Sequence, residues 1–175
     1  MAISEDGAIR QIGRPVEIYD HPATTYMARF LDNPIMNILP VQATNAGFET
    51  AAGALQVVVG AQAGVVDMGL RPEDLRVSAW EGGADVPAPV SEVEPLGGYT
   101  VVTLTAGTQP LRAMLSGQTD IRVGALVGLG CDPERVMYFG AGGEALPKSA
   151  QPHPWEGAGY ERRVGVSARS GGANQ

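Results

Sequence analysis

The chain has 175 residues, 44% of them apolar, enough to bury one core and a small satellite. A formal charge of −7, a pI near 4.7 and a single lysine, Lys148, exclude the clustered cations through which nucleic-acid binding releases counterions. The lone Cys131 excludes an internal disulfide, no apolar run is long enough to span a bilayer, and Met1 to Asp6 lacks the basic and apolar regions of a signal peptide, so a soluble, intracellular chain with a buried thiol is expected.

Taken in chain order, GAIRQIG at 7–13 alternates between glycines and predicts a strand, half of a hairpin. Pro15 suits a first helical position, and Val16, Ile18 and Tyr19 form a short helix that stops before Pro22. Thr24 can cap a second helix whose apolar face is Ala23, Met27, Phe30 and Leu31, and Asn33 is turned out of the helical region by Pro34. Beyond Ile35 the helical period disappears. With 24 glycines and 13 prolines, the chain then reads as short strands over 35–45, 54–59, 64–70, 89–96, 99–106, 109–115, 124–130 and 135–139, spaced as in a small barrel. Within 109–115, Leu111, Ala113 and Leu115 share one face, and Pro110, Arg112 and Met114 the other. The acidic 81–85 stretch is a loop tip. Gly69-Leu70-Arg71-Pro72-Glu73-Asp74-Leu75 and Gly130-Cys131-Asp132-Pro133-Glu134-Arg135-Val136 both read G-x-x-P-E-x-apolar and predict two strand, turn, strand corners, each glutamate placed to meet unpaired N–H groups. Residues 148–175 have no periodicity and read as a disordered tail, in which Trp155 and Tyr160 could dock locally.

Catalytic patterns are sparse. Leu115-Ser116-Gly117-Gln118 approaches the LSGGQ signature of ATP-binding cassette (ABC) ATPases, but it follows an alternating strand where the signature must open a helix, so a hairpin turn is expected. The phosphate-loop pattern GxxxxGK[ST] fails because Lys148 has no glycine frame. Val65-Val66-Asp67 is followed by Met68 rather than a catalytic glutamate, and Asp67 reads as a strand-end aspartate. His21 ends a helix and His153 lies in the tail, which leaves no metal pair or nucleophile triad to build, and Glu92 and Glu94 form a solvated strand face.

The run Gly7-Ala8-Ile9-Arg10-Gln11-Ile12-Gly13-Arg14-Pro15-Val16-Glu17-Ile18-Tyr19-Asp20-His21-Pro22-Ala23 resembles the end of the nucleotide-binding domain of ABC importer ATPases. Met27 to Pro40, with its P-x-M-N-x-L entry, the corner Gly69 to Leu75, Glu94-Pro95-Leu96-Gly97 and Pro133 to Phe139 are similar, in order, to the regulatory part of the maltose and glycerol-3-phosphate type. The resemblance implies a mostly-β fold: an OB-like transport-associated (TOBE) barrel over 35–147, preceded by a strand-helix-helix remnant of an ATPase domain over 1–34 and followed by the tail at 148–175. The upstream ATPase motifs have no counterpart here, so the resemblance implies a fragment that neither hydrolyses ATP nor holds a cofactor, ATP and magnesium belonging to the full-length family. Its implied role is regulatory and dimerising in a carbohydrate or polyol importer, cytoplasmic and peripheral on the inner membrane face. The implied partners are a second copy, permease subunits and a regulatory protein, with no nucleic acid. Leu70, Arg71, Pro72, Glu73, Asp74, Gly97, Gly98 and Tyr99 are the expected interface. The competing expectation is a small-oxyanion site supplied by Arg71, Arg76 or Arg112. Residues 1–34 are expected to be poorly anchored, with Met27, Phe30 and Leu31 packing on the barrel or on a second copy.

Overall fold

A hairpin opens the chain, β1 (Ala2–Glu5) pairing antiparallel with β2 (Ala8–Ile12) around Gly7, whose φ of +77° favours glycine. The computed structural model describes residues 1–5, 7–44, 47–50, 56–57, 63–81 and 86–147, so most of the expected loop tip at 81–85, most of the expected strand at 54–59 and the tail at 148–175 lie outside the described residues. Two helices follow, α1 (Pro15–Asp20) and α2 (Thr25–Leu31), both where the sequence predicts them. Glu17 accepts the exposed N–H of Arg14 at 3.0 Å, and the Thr24 hydroxyl accepts that of Met27 at 3.3 Å, so each helix start satisfies a backbone donor left over by the helical ladder. Ile3, Ile18 and Met27 bury one another beside Ala23 and Leu31, which joins hairpin and helices in a small core.

The expected apolar face of α2 needs one correction. Met27 and Leu31 point inward together, one turn apart, whereas Phe30 is 64% exposed and stacks on Tyr26; the buried flank is Ala28, packed with Met36 and Phe139. A small side chain is what allows the helix to approach the barrel there.

The remaining strands are β3 (Asn37–Thr44), β4 (Gly47–Thr50), β5 (Gln56–Val57), β6 (Asp67–Leu70), β7 (Leu75–Ala79), β8 (Val86–Pro95), β9 (Tyr99–Ala106), β10 (Gln109–Ser116), β11 (Leu126–Cys131), β12 (Met137–Phe139) and β13 (Ala145–Leu146). They form two antiparallel sheets, ordered β10-β9-β8-β11-β7 and β13-β12-β6-β3-β4-β5, curled over one core. Leu39, Met68 and Leu70 of the second sheet meet Val102, Leu104, Leu111 and Leu129 of the first, all of them almost wholly buried. The chain is mostly β, an OB-like half-barrel. The alternation expected in 109–115 holds, with Leu111 and Ala113 buried and Pro110 and Arg112 exposed. Asp67 begins β6 rather than ending a strand.

The LSGQ stretch is neither a helix start nor a hairpin turn. Ser116 ends β10, Gly117 (φ +71°) donates to Gly98 O at 2.9 Å, and the chain then crosses the sheet, because β11 inserts between β8 and β7 instead of pairing with β10. Gly124 N and Val90 N, which bond Val90 O and Ala125 O respectively, lock that crossing onto β8.

Candidate functional site

The two P-E corners stand side by side. Each is a single 3-10 turn, Pro72–Asp74 and Pro133–Arg135, with proline at its start, where φ suits it and no N–H is needed. One antiparallel register runs through both: Leu75 faces Cys131 where β7 meets β11, and Gly69 faces Met137 where β6 meets β12, the intervening segments being equal in length. The corners therefore carry the chain between the two sheets in opposite directions, and the equivalent residues Asp74 and Arg135 approach within 4.0 Å. In each corner the following apolar residue, Leu75 or Val136, is buried. The first glutamate does not cap its turn as expected. In the second corner Asp132 accepts the N–H of Glu134 at 2.9 Å, and in the first Glu73 accepts the hydroxyl of Tyr19.

That last bond belongs to a clamp between helices and barrel. Arg71, 8% exposed, donates to the backbone oxygen of Tyr19 at the end of α1, lies over the Tyr19 ring at 4.2 Å, and pairs through Nε with Asp32 Oδ2 at 3.6 Å. Asp32 is 7% exposed, and its burial lifts the carboxyl to about 6 although Arg71 opposes the shift. Burial and the acceptor Glu73 push the Tyr19 phenol well above its ordinary value. Backbone bonds complete the attachment, Thr25 N to Gly143 O at 2.8 Å and Ala145 N to Ala23 O at 2.8 Å. Residues 1–34 are thus firmly anchored, contrary to expectation, because a buried charge and several backbone groups find their partners across the seam.

A second buried polar residue closes the barrel. The Asn37 side chain donates to Leu70 O at 3.0 Å and to Arg112 O at 2.9 Å and accepts Arg112 N at 2.8 Å, tying β3, the end of β6 and β10 together. One amide bridges strands of different sheets because its oxygen and nitrogen match a backbone N–H and C=O in the same plane.

Of the expected interface, Leu70, Arg71 and Pro72 lie inside the chain, Asp74 is half-buried and Glu73 is exposed while holding Tyr19. Gly97 and Gly98 are exposed at the β8–β9 turn with half-buried Tyr99, and this turn is fastened to Gly117 rather than to the corner. The three arginines weighed for an oxyanion differ in their surroundings. Arg71 is committed to Asp32 and Tyr19, and the other two are exposed on β7 and β10. Sequence reasoning missed Tyr19, Asp32 and Asn37 as functional positions. A polar residue at the mouth of an apolar strand, as Asn37 is in Ile35-Met36-Asn37-Ile38-Leu39, was the available signal. No group of three or more His, Cys, Asp or Glu side chains among the described residues could hold a metal, and no described helix is long and apolar enough to cross a membrane.

Between the clamp and the second corner lies an open cavity of about 810 Å³. One wall is Asp20 to Ala23 of the helical segment. The other is Arg71, the Glu134–Arg135 pair and β12–β13 with Pro147. Burial raises Tyr138, on this wall, to about 12 and nearby Cys131 to about 11, so neither is ionised at neutral pH.

Residues 68–139, the span from β6 to β12, match the TOBE domain family. Its relatives extend the match to most of the chain. It is 34% identical over 136 residues to the uncharacterized ABC transporter ATP-binding protein y4oS of Sinorhizobium fredii, covering 74% of this chain and 36% of that protein. It is 31% identical over 160 residues to the sn-glycerol-3-phosphate import ATP-binding protein UgpC of Cupriavidus pinatubonensis, covering 81% and 42%. It is also 31% identical over 155 residues to the alpha-glucoside transport ATP-binding protein AglK of Rhizobium meliloti, covering 79% and 41%. The chain is a TOBE-containing homologue of such importer ATP-binding proteins, and it spans about two fifths of the length of the curated relatives it matches.

Proposed function

We propose that this chain is the regulatory and dimerising part of the ATP-binding subunit of a carbohydrate or polyol importer, and that it hydrolyses no ATP by itself. The observation that carries the reading is the Arg71 clamp, which fixes a helical segment like that closing an importer ATPase domain to the corner of a TOBE barrel. Displacement of the helices would then move the barrel as one body with them. The division at residue 34, the second copy as partner, contact with permease subunits and a regulatory protein, and a cytoplasmic position against the inner membrane face all belong to this proposal. The relatives' printed roles in sn-glycerol-3-phosphate import and alpha-glucoside transport support the solute class.

Within the proposed interface, Leu70, Arg71 and Pro72 shape the corner from inside, and contact falls to Glu73 and to the β8–β9 turn with its exposed Leu96. An isologous contact uses the same patch twice, so bulk at one position acts on both partners. Nothing lies within 4 Å of a Cβ added at Gly98, so Gly98→Trp is expected to leave the fold intact. Sedimentation velocity over a rising concentration series tests the reading: reversible dimerisation is expected, weakened at least tenfold by Gly98→Trp. A strict monomer at the highest concentration, or phosphate release from ATP by the purified chain, overturns it.

A further inference from the structure

The cavity at the seam is lined for a particular chemistry. Arg71 is already neutralised by Asp32, which leaves Arg135 against Asp20 and Glu134, so the lining offers an anion no net attraction. Guanidinium N–H groups only donate and carboxylates only accept; a hydroxyl does both and matches either. Between these groups lie apolar surfaces, Pro22, Met137 and Leu146, suited to the C–H faces of a small polyhydroxylated molecule. Its size, about 810 Å³, falls within the range of roughly 300–1,000 Å³ common for small-molecule sites.

A second, independent observation points to the same place. Among the described residues, the buried side-chain polar atoms without a hydrogen-bond partner are Tyr138 Oη, Arg71 Nε and Asp32 Oδ2. Arg71 Nε and Asp32 Oδ2 face each other as an ion pair at 3.6 Å, which leaves the Tyr138 hydroxyl, on the cavity wall, as the atom of the three with no protein partner. Buried polar groups are nearly always bonded, so this hydroxyl marks a place where an external partner completes the set.

We propose that the seam cavity binds a neutral sugar or polyol, held by Arg135, Asp20 and Glu134 at its rim, and that the bound molecule braces the helical segment against the second corner. The cavity lining includes neither Glu73 nor the β8–β9 turn, to which the proposed dimer contact falls, so a monomer that binds sugar and a dimer that does not are separable results.

The test is isothermal titration calorimetry and saturation-transfer NMR on the full chain, with glycerol, glucose and maltose as probes and inorganic phosphate as the charged comparison. Saturable binding of at least one neutral probe is expected, with a rise in the thermal midpoint. Arg135→Ala removes an exposed guanidinium and should weaken binding about fivefold by loss of a charged hydrogen bond. Ala145→Trp adds bulk at an exposed wall position while its backbone bond to Ala23 is kept, and should weaken binding at least tenfold. No saturable signal from any neutral probe, binding untouched by both variants, or saturation by phosphate alone overturns the proposal.

Discussion

The two P-E corners share a sequence pattern, a turn type and a continuous strand register, yet they do opposite work. The first is mostly buried and holds the helical segment through Arg71; the second is largely exposed, turned onto itself by Asp132 and linked to the first by the Arg135–Asp74 pair. The residue before proline makes the difference. Arg71 and Asp132 share an extended backbone, with φ of −69° and −84°, but a long cation can reach Asp32 and the end of α1 while a short carboxylate can only turn back onto Glu134 N. Repeated local geometry therefore sets where a side chain starts, and its length and charge decide whether it becomes a cap or a clamp.

Breaking the clamp should give the largest effect. Arg71→Ala leaves Asp32 buried without its cation, and loss of one partner of a buried pair costs about 3–5 kcal/mol. Urea denaturation at pH 8 measures it, and the loss should shrink at pH 5, where Asp32 can take up a proton instead.

Next comes the pH dependence of the intact chain. The Asp32 carboxyl sits at about 6 when folded against an ordinary 3.8, so the folded chain binds this proton more tightly than the unfolded one. That contribution is complete below about pH 4 and is lost as pH rises through 6, by on the order of 3 kcal/mol. Burial raises Asp74 too, and it acts in the same sense. Asp32→Asn should flatten the pH 4–7 stability profile; an unchanged profile would mean that the clamp is not the titrating element.

Gly69→Ala probes the corner's close approach. An added Cβ would lie 2.8 Å from both the Met36 sulfur and the fully buried Phe139 ring, and overpacking of this kind costs roughly 1–3 kcal/mol, read as a lower denaturation midpoint. The second corner should be the most tolerant. Asp132→Ala loses one capping bond, about 1 kcal/mol, and Arg135→Ala loses an exposed ion pair, under about 1 kcal/mol. If Asp132→Ala proved as damaging as Arg71→Ala in the same urea titration, the contrast between the corners would collapse.

The legible parts of the fold were those with a local cause. Pro15, Thr24 and Pro34 bound the helices, and alternation in Leu111, Ala113 and Leu115 marks β10. The G-x-x-P-E repeat marks both corners and, through the second of its apolar runs, β7. β4 and β13 escaped because strands this short have too few residues to display a period, and β1 because its hairpin partner alone carries the glycine-bounded pattern. The proposed interface at Leu70 to Asp74 was legible as a turn but not as a clamp, since Arg71 and Asp32 are separated by all of β3 to β6 in sequence and by 3.6 Å in space.

By itself, then, the sequence determined the element types, the two corners and the absence of phosphate-loop chemistry in these residues, because propensity, proline geometry and missing side chains act within a few positions. Only the tertiary structure decided that the LSGQ stretch leads into a sheet crossing, that Asn37 joins the two sheets and that Arg71 binds the helices to the barrel. Each of those depends on which distant backbone groups and charges a buried polar side chain meets, and burial, which makes an unmet partner costly, exists only once the sheets have closed.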